Sequence, residues 1–332
     1  MDRRRFVAMI GGALAAALAR AQPKRAGAPR RVVIAVDLES AVNRAMLVES
    51  LRAAGWAEGR DYVLVDTGFM YGHPFDEVAR RVLDLRPDLI LSVNTAYTLA
   101  IHRQTKTIPI VMWASGYPVE VGLAESLARP GKNVTGLSLY AGTRIWGKLV
   151  EMLREAKPGT KSVAVLWGYV PPAHPIEEIE PCYREFREAE RTLKIAVRIV
   201  EVARADQVAS ALKTIDAIRP DGLVVTSGPG LWSTRSQVLD YAVKKRLPTI
   251  ADFAQPPDNY NIRPLLTYAP AWSELFPQVA TYISKIFEGA KPGDLPIQQP
   301  ARFELQVNMK AASAIGIKLP QALLLRADRV IE

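Results

Sequence analysis

The chain has few of the side chains from which metal centres and covalent active sites are built. Its 332 residues include one cysteine, Cys182, and three histidines, His73, His102 and His174. A single cysteine excludes an intrachain disulfide and a cysteine-rich metal site, and three scattered histidines argue against a histidine-built one. We therefore expect no cofactor and no metal. Cys182 and His174 could in principle form a nucleophile pair, but an incidental thiol is the simpler interpretation.

The common catalytic motifs are also missing. After the N-terminal segment the sequence contains no Gly-x-Ser-x-Gly, His-Glu-x-x-His or Gly-x-Gly-x-x-Gly, which removes the signatures of α/β-hydrolases, zinc proteases and dinucleotide-binding enzymes. The stretch from Gly142 to Lys148 has the spacing of a phosphate-binding loop. However, Leu149 stands where a magnesium-binding Ser or Thr is needed, and the segment is expected to begin a helix. We expect no catalytic residues.

The N-terminal hydrophobic run is too short to cross a bilayer. It extends from Phe6 to Leu18, 13 residues without charge, whereas a spanning helix needs about 20. Arg3-Arg4-Arg5 before it and Ala19-Arg20-Ala21 after it match the basic region and the cleavage site of a signal peptide. We predict a signal peptide over residues 1–21 and a periplasmic protein. Arg3–Phe6 loosely resembles a twin-arginine signal, and an N-terminal membrane anchor is the alternative.

Basic residues outnumber acidic ones without forming a single basic stripe. The formal net charge is +9, and cleavage after Ala21 would remove four arginines and one aspartate, leaving +6. The remaining cations are spread along the chain. Lys244-Lys245-Arg246, for example, closes a predicted helix, where positive charge suits the helix dipole. We interpret these cations as solvated surface and expect no nucleic-acid partner.

What the sequence does have is a repeated alternation of short apolar strands and amphipathic helices. With 49% hydrophobic and 23% charged residues, the chain can bury a core and is long enough for two domains. The alternation is typical of parallel sheets covered by helices on both faces. Two series of similar size predict two doubly wound, Rossmann-like lobes in an α/β fold, and residues 265–269 and 295–299 have the β character of segments that cross between them. The predicted strands are residues 31–38, 62–67, 89–93 and 108–114 in the first series and 162–167, 195–202, 222–226 and 248–253 in the second.

One strand–turn–helix unit is especially well defined. The strand Leu89–Val93 is followed by the cap residues Asn94 and Thr95 and then by a helix to about Gln104. Backbone N–H groups at the start of such a helix, with the positive end of the helix dipole behind them, favour an anion such as a carboxylate. The unit therefore predicts a carboxylate site at the carboxyl end of the first sheet. The alternative is an ordinary strand–helix joint.

Ligands of such folds bind outside the carboxyl ends of the strands, where two lobes would face each other. Asn94 and Thr95 would hold a carboxylate, and Trp113 or Tyr117 would stack on a ring or cover an apolar group. Asp252 would accept hydrogen bonds from an ammonium group. For each residue, local capping or core packing is the alternative. The full set of candidate ligand-binding residues is Asp37, Asn94, Thr95, Trp113, Ser115 and Tyr117 from the first lobe, Trp167, Tyr169, Ser227 and Asp252 from the second, and Tyr268 on a crossing segment.

Two parts of the chain resemble a known family. Residues 128–138 (ARPGKNVTGLS) are similar to a hallmark of the ABC-transporter substrate-binding proteins related to tryptophan and tyrosine uptake. So is the C-terminal part from Ile286, through Gly289-Ala290-Lys291-Pro292, Leu295-Pro296 and Phe303-Glu304-Leu305, to residues 327–332 (ADRVIE). The resemblance covers nearly the whole chain after the signal peptide. It implies the type I periplasmic-binding-protein fold, with two doubly wound lobes, three crossings and a ligand enclosed between the lobes. We predict lobe 1 at residues 30–140 plus about 269–300, and lobe 2 at 141–268 plus about 301–332.

Two positions depart from the pattern of that family. Many relatives have Gly-Asp-Pro-Val where this chain has Gly116-Tyr117-Pro118-Val119, and they often have Gly-Gly-Leu where it has Arg263-Pro264-Leu265. Losing a carboxylate near the cleft and gaining a phenol changes what the pocket can bind. An aromatic or other carboxylate without an ammonium group therefore competes with an amino acid as the expected ligand.

The resemblance implies an extracytoplasmic solute-binding protein rather than an enzyme. Such a protein, expected to be a monomer, encloses a small carboxylate-bearing molecule and presents its closed form to an ABC permease in the inner membrane. Two alternatives share the architecture. One is an exported enzyme, for which Asp37 and Asp252 are the acid–base candidates, and the other is a ligand-sensing module for a receptor.

Overall fold

The computed structural model describes most of the chain, and the predicted signal peptide and the candidate Asp37 lie outside the described residues. Among the helices that are described, none has both the length and the apolar character needed to cross a membrane. The described residues are 28–36, 41–69, 73–139, 145–171, 176–253, 264–300 and 302–332.

The first sheet has five parallel strands in the order β2-β1-β3-β4-β5. The first four correspond to predicted strands, whereas β5 was not predicted as a strand. Gly136 lies inside β5, and glycine weakens the strand pattern of a sequence. The structure shows why glycine is there: φ is +123°, and a Cβ atom would lie 2.0 Å from the Met112 carbonyl oxygen. The strands are β1 (Arg30–Ile34), β2 (Tyr62–Asp66), β3 (Leu89–Ser92), β4 (Ile110–Ser115) and β5 (Val134–Ser138).

The second sheet has seven strands in the order β12-β11-β10-β9-β8-β6-β7, and β10 and β11 form its antiparallel pair. β6 to β9 correspond to the four predicted strands, and β10 to the predicted segment at 265–269. β11 and β12 extend the sheet beyond the prediction. The strands are β6 (Ser162–Trp167), β7 (Ala196–Glu201), β8 (Gly222–Val225), β9 (Thr249–Ala251), β10 (Leu266–Pro270), β11 (Phe303–Asn308) and β12 (Arg329–Ile331).

Helices cover the sheets and bury their apolar faces, as expected of amphipathic helices. In the helix that begins at Val208, the side chains of Val208, Leu212 and Ile215 are buried, as the four- and three-residue spacing predicts. The helices are α1 (Ala41–Ala53), α2 (Phe75–Asp84), α3 (Thr95–Gln104), α4 (Ile145–Ala156), α5 (Ile176–Leu193), α6 (Val208–Ile218), α7 (Pro229–Trp232), α8 (Arg235–Lys244), α9 (Trp272–Phe287), α10 (Met309–Ile315) and α11 (Gln321–Arg326).

The chain passes between the two sheets three times. It leaves the first sheet after β5, and after β10 it returns, because α9 packs on α1, β4 and β5. The segment that follows α9 joins the edge of the first sheet, where Gln298 N–H donates to the Gly136 carbonyl at 3.0 Å. The chain then enters β11 of the second sheet. The predicted α/β fold with two doubly wound lobes and three crossings is confirmed. The exact lobe boundaries stay a prediction.

Buried apolar side chains connect the two sheets. One hydrophobic core includes residues of β1, β3 and β4 together with residues of β6, β8 and β9. A second, smaller core lies between the second sheet and helices α6 and α8. The first core therefore joins the two sheets through buried apolar side chains, and the region between the sheets is not filled by solvent alone.

Candidate ligand-binding site

Asn94 forms the cap of helix α3. Its Oδ1 accepts a hydrogen bond from Ala96 N–H at 2.8 Å, which satisfies one of the backbone donors that a helix start leaves open. Its backbone has φ of 68° and ψ of 145°, a region in which non-glycine residues are strained. Thr98 stabilises this conformation, because its N–H and its Oγ1 both donate to the Asn94 carbonyl. The Asn94 side chain is thus engaged locally.

Thr95 holds the loop after β4 against the start of helix α3. Its Oγ1 accepts from Gly116 N–H at 2.9 Å and donates to the Gly116 carbonyl at 3.2 Å. The side chain is buried. Both hydrogen-bonding functions of the hydroxyl group are therefore engaged with the backbone of one residue. Whether Asn94 and Thr95 also touch a ligand stays a prediction.

Serine ends three neighbouring strands at the carboxyl edge of the first sheet. Ser92 ends β3, Ser115 ends β4 and Ser138 ends β5. The Thr98 hydroxyl lies 2.9 Å from that of Ser92 and 3.2 Å from that of Ser115. Ser138 is aligned with Ser115 in the sheet, but its buried Oγ has no hydrogen-bond partner. Ser115 is among the residues predicted from the sequence, whereas Ser138 is not, because β5, which it ends, was not recognisable as a strand.

The two aromatic candidates of the first lobe are buried. Trp113 lies 5.4 Å from the ring of Phe276 on α9 and packs in the core. Tyr117 follows β4 with a left-handed backbone, φ 47°. Its phenol reaches helix α5, which follows a strand of the second sheet, and accepts a hydrogen bond from the Cys182 thiol at 3.5 Å. Desolvation by burial raises the pKa of Tyr117 well above its usual value, so the phenol is neutral.

Trp167, at the end of β6, belongs to an aromatic cluster. Its ring centroid lies 4.8 Å from that of Trp146 and 5.1 Å from that of Tyr169 in edge-on arrangements. Tyr183 and Phe186 of α5 complete the contacts. Trp167 is fully buried, and its indole N–H has no hydrogen-bond partner. Edge-on packing of this kind stabilises a core, and it sets the position of Tyr169.

Tyr169, Ser227 and Asp252 come together after β6, β8 and β9. The hydroxyl groups of Tyr169 and Ser227 are 2.5 Å apart. Tyr169 donates to Asp252 Oδ2 at 3.0 Å, and Ser227 Oγ lies 3.2 Å from the same oxygen. These three residues follow neighbouring parallel strands of the second sheet, so they meet at the carboxyl edge, where the sequence predicts ligand-binding residues.

A close contact between two glycines fixes the loops that carry this cluster. Gly168 precedes Tyr169, and Gly228 follows Ser227. A Cβ atom on Gly168 would lie 2.7 Å from Gly228 Cα, and one on Gly228 would lie 2.2 Å from the Gly168 carbonyl carbon. The Thr226 hydroxyl adds a second link, because it accepts from Gly168 N–H at 2.9 Å and donates to the Leu166 carbonyl at 3.0 Å. Only residues without a side chain fit this crossing.

Burial dominates the electrostatics of Asp252. The side chain is almost fully buried, with 1% of its surface exposed. Desolvation raises the pKa of Asp252 to about 7, while the hydrogen bonds from Tyr169 and Ser227 act in the opposite direction. Near neutral pH the carboxyl group therefore exists in both protonation states. A cation that approaches it would favour the ionised state.

The structure places the remaining candidates as follows. Tyr268, on β10, is half-buried and stacks on Phe303 of the adjacent β11, with ring centroids 5.4 Å apart. The residue before it, Thr267, is aligned with Ala251, the residue before Asp252. Among the described residues no group of three or more His, Cys, Asp or Glu side chains could hold a metal ion. His102 instead bonds to Asn133, Nδ1 to Oδ1, at 2.8 Å.

The chain is similar to several known proteins. A tyrosine-binding protein of Clostridioides difficile is 35% identical over 91 residues, 27% of this chain, and the match covers 26% of that protein. A conserved domain protein of Vibrio cholerae has a TM-score of 0.79 at 25% identity, over 92% of this chain and 100% of the other. A domain of Streptococcus pneumonia solved in complex with L-Trp has a TM-score of 0.76 at 19% identity, with the same coverage.

The family model for ABC transporter substrate-binding proteins matches residues 45–331, from within α1 to β12. The match takes in strands of both sheets and all the candidate residues that the structure describes. Members of this family bind small-molecule ligands outside the cytoplasm and work with ABC permeases. The chain therefore belongs to the ABC transporter substrate-binding protein family.

Proposed function

We propose that the protein is the extracytoplasmic solute-binding component of an ABC importer. It encloses a small carboxylate-bearing molecule, an amino acid or an aromatic or organic acid, between its two lobes and delivers it to the permease as a monomer. The observation that carries the proposal is the family match over residues 45–331. A ligand that contacts both lobes stabilises the closed arrangement over the open one by its additional contacts in the closed state.

An amino acid is the ligand class with the most support. The relative named as tyrosine-binding is 35% identical over the segment that matches. In this chain, the Asp252 carboxyl is held by the Tyr169 and Ser227 hydroxyl groups at the carboxyl ends of three strands. When it is ionised, it can accept a charge-assisted hydrogen bond from an ammonium group. An organic acid without an amine would offer no ammonium group to this carboxyl.

The proposal is tested by a thermal-shift screen of the purified protein against amino acids and aromatic acids. A ligand that binds only the folded state raises the melting temperature, and calorimetry then gives its affinity. We expect at least one carboxylate-bearing compound to bind in a 1:1 ratio and to be recovered unchanged by mass spectrometry. Chemical conversion of the compound would favour the exported enzyme. Binding of no carboxylate would contradict the proposal.

Delivery to a permease is tested separately from binding. We expect the liganded protein to retain the permease of an ABC transporter from detergent-solubilised membranes more strongly than the unliganded protein does. Retention of a sensor kinase instead would favour the ligand-sensing alternative.

The ligand itself can be sought by native mass spectrometry of protein purified from its own host.

Export through residues 1–21 is part of the proposal. If the signal peptide is cleaved after Ala21, the mature protein begins at Gln22, which N-terminal sequencing of the exported protein can establish. Replacing both Arg3 and Arg4 by lysine distinguishes the two export routes. The exchange blocks twin-arginine export but leaves general secretion intact, because the basic charge before the apolar run is kept.

A further inference from the structure

Ser115, Ser138 and, by continuation of the strand register, Gln299 are neighbours at the carboxyl edge of the first sheet. Ser115 and Ser138 are aligned across β4 and β5. Leu137 is aligned in parallel with Gln298 of the segment that returns from α9, and Ser138 N–H donates to the Gln298 carbonyl at 2.8 Å. Continuing that register by one residue places Gln299 beside Ser138. Because side chains alternate along each strand, aligned neighbours lie on the same face of the sheet.

Two of these three side chains have buried polar atoms without a hydrogen-bond partner, Ser138 Oγ and Gln299 Nε2. Ser138 has none of its surface exposed. An unsatisfied buried polar atom destabilises a folded protein, so native proteins contain few of them, and each needs an explanation. Here two such atoms belong to adjacent residues at the edge where ligands of open α/β sheets bind.

The neighbouring polar side chains, in contrast, have hydrogen-bond partners. The Thr135 hydroxyl on the same strand donates to the Leu295 carbonyl at 2.8 Å. Ser115 lies 3.2 Å from the Thr98 hydroxyl, and the Asn94 and Thr95 side chains are bonded to nearby backbone. Among these described residues, only Ser138 and Gln299 have a buried polar atom without a partner.

A hydroxyl group and an amide NH₂ group can both donate hydrogen bonds, and together they suit an acceptor with two oxygens. We propose that Ser138 and Gln299 form a carboxylate subsite, in which Ser138 Oγ–H and Gln299 Nε2–H donate to the carboxylate oxygens of the ligand. This inference rests on the proposed function, because it assigns two further residues to the same ligand. Ligand binding would then satisfy two donors for which the described protein residues supply no partner.

The test compares ligands with and without the carboxylate in wild-type and variant protein. The probes are L-tyrosine and L-tryptophan against tyramine and tryptamine, measured by isothermal calorimetry. We expect Ser138→Ala and Gln299→Leu each to weaken binding of the amino acids at least fivefold and to change binding of the amines less than twofold. Equal affinities for the amino acids in variant and wild type, or equal losses for amino acids and amines, would overturn the assignment.

The melting temperature distinguishes a ligand-binding role of the Ser138 hydroxyl from a purely structural one. Removing an unsatisfied hydroxyl should leave the melting temperature of the unliganded Ser138→Ala protein unchanged or higher. Thr135→Val is the matched control, because it removes a buried hydroxyl of the same strand that has a partner. It should lower the melting temperature and leave the amino-acid affinity unchanged. A lowered melting temperature for Ser138→Ala, together with unchanged affinity, would show that the hydroxyl is structural.

Failure of the subsite can be told apart from failure of the proposed function. If the wild-type protein binds neither amino acid, the same variants are compared on the carboxylic acid that binds in the thermal-shift screen, against its primary alcohol. If no carboxylate binds the wild type, the proposed function fails and the subsite with it. A liganded crystal structure gives a second measurement: a carboxylate oxygen within about 3.2 Å of Ser138 Oγ supports the subsite, and a carboxylate bound elsewhere overturns it.

Discussion

Asp252 shows how much a single buried carboxyl group can influence this protein. Its side chain lies at the end of β9 with the hydroxyl groups of Tyr169 and Ser227 on one oxygen. Burial disfavours the ionised form, so the pKa rises from its ordinary value of 3.8 to about 7. Stability and ligand binding should both depend on the protonation state of this group.

The pH dependence of stability follows from that shift. Between about pH 4 and pH 7 the folded protein retains a proton that the unfolded chain has released. The free energy of unfolding therefore falls as pH rises through this range, by at most about 1.4 kcal/mol per pH unit. We expect Asp252→Asn to remove this contribution, which urea unfolding at about pH 5 and pH 7 would measure. An identical pH dependence in the variant would contradict the assignment.

Asp221 is the matched control, because its pKa is shifted in the opposite direction. Its carboxylate accepts hydrogen bonds from the Lys161 and Ser162 N–H groups, and the first of these contributes most to lowering the pKa of Asp221. The stability that it contributes is present above the unfolded-state pKa and is lost as pH falls. Asp221→Asn should therefore alter the pH dependence of stability below about pH 5 and leave the pH dependence between about pH 5 and pH 7 unchanged.

Asp252 should also distinguish amino acids from acids without an amine. In Asp252→Asn the charge that would pair with a ligand ammonium is absent, so we expect L-tryptophan to bind about 10- to 100-fold more weakly, the effect of losing a charge-assisted hydrogen bond. Binding of indole-3-propionate should change little or strengthen. Calorimetry on both compounds tests this, and equal losses for both would contradict an ammonium contact.

At the scale of elements, the contact between Gly168 and Gly228 holds two loops in the positions that the Asp252 cluster needs. We expect Gly168→Ala to cost about 1–3 kcal/mol of stability, because a Cβ atom 2.7 Å from Gly228 Cα forces the loops apart. It should also weaken ligand binding, since Tyr169 and Ser227 would separate. Chemical denaturation and calorimetry measure the two effects.

Gly147→Ala provides the comparison for that substitution. Gly147 lies within helix α4, and a Cβ atom there would meet its nearest neighbour at 3.6 Å, an ordinary contact. Alanine is the better helix former, so this variant should be as stable as the wild type or up to about 1 kcal/mol more stable. Similar destabilisation in both variants would show that the glycine crossing has no special role.

The strands themselves were predictable to different degrees. Apolar runs bounded by turn residues identified β1 to β4 and β6 to β9, because strands buried on both faces leave that pattern in a sequence. β5 was missed because Gly136 interrupts its pattern. β11 was missed because it follows a crossing rather than a helix and pairs antiparallel with β10, which a simple strand–helix alternation does not predict.

At the scale of the whole molecule, Tyr117 connects two elements that belong to different sheets. It follows β4 of the first sheet, and its phenol accepts a hydrogen bond from Cys182 on α5, which connects β6 and β7 of the second. Its ring has 5% of its surface exposed. Burial of an aromatic ring at such a junction contributes to the preference for one relative position of the lobes.

We expect Tyr117→Ala to favour the open arrangement of the unliganded protein. Removing the ring takes away apolar contacts between the lobes, so the radius of gyration measured by small-angle scattering should increase, and ligand should bind more weakly because fewer molecules are closed. Tyr117→Phe is the control, since it keeps the ring and loses only the weak thiol contact. A radius of gyration that is the same in all three proteins would contradict this role.

The sequence by itself determined the class of the protein. Its alternating apolar segments specify two doubly wound sheets, because each buried strand or helix shows its own spacing of apolar residues. The residues that end the strands then mark the edge where we predict that the ligand binds. Only the tertiary structure decided which polar side chains near that edge have hydrogen-bond partners. Asn94 and Thr95 have local partners, whereas Ser138 and Gln299 do not, and no local pattern reveals that difference. Hydrogen-bond satisfaction depends on which strands become neighbours, and strands far apart in sequence become neighbours only when the chain folds.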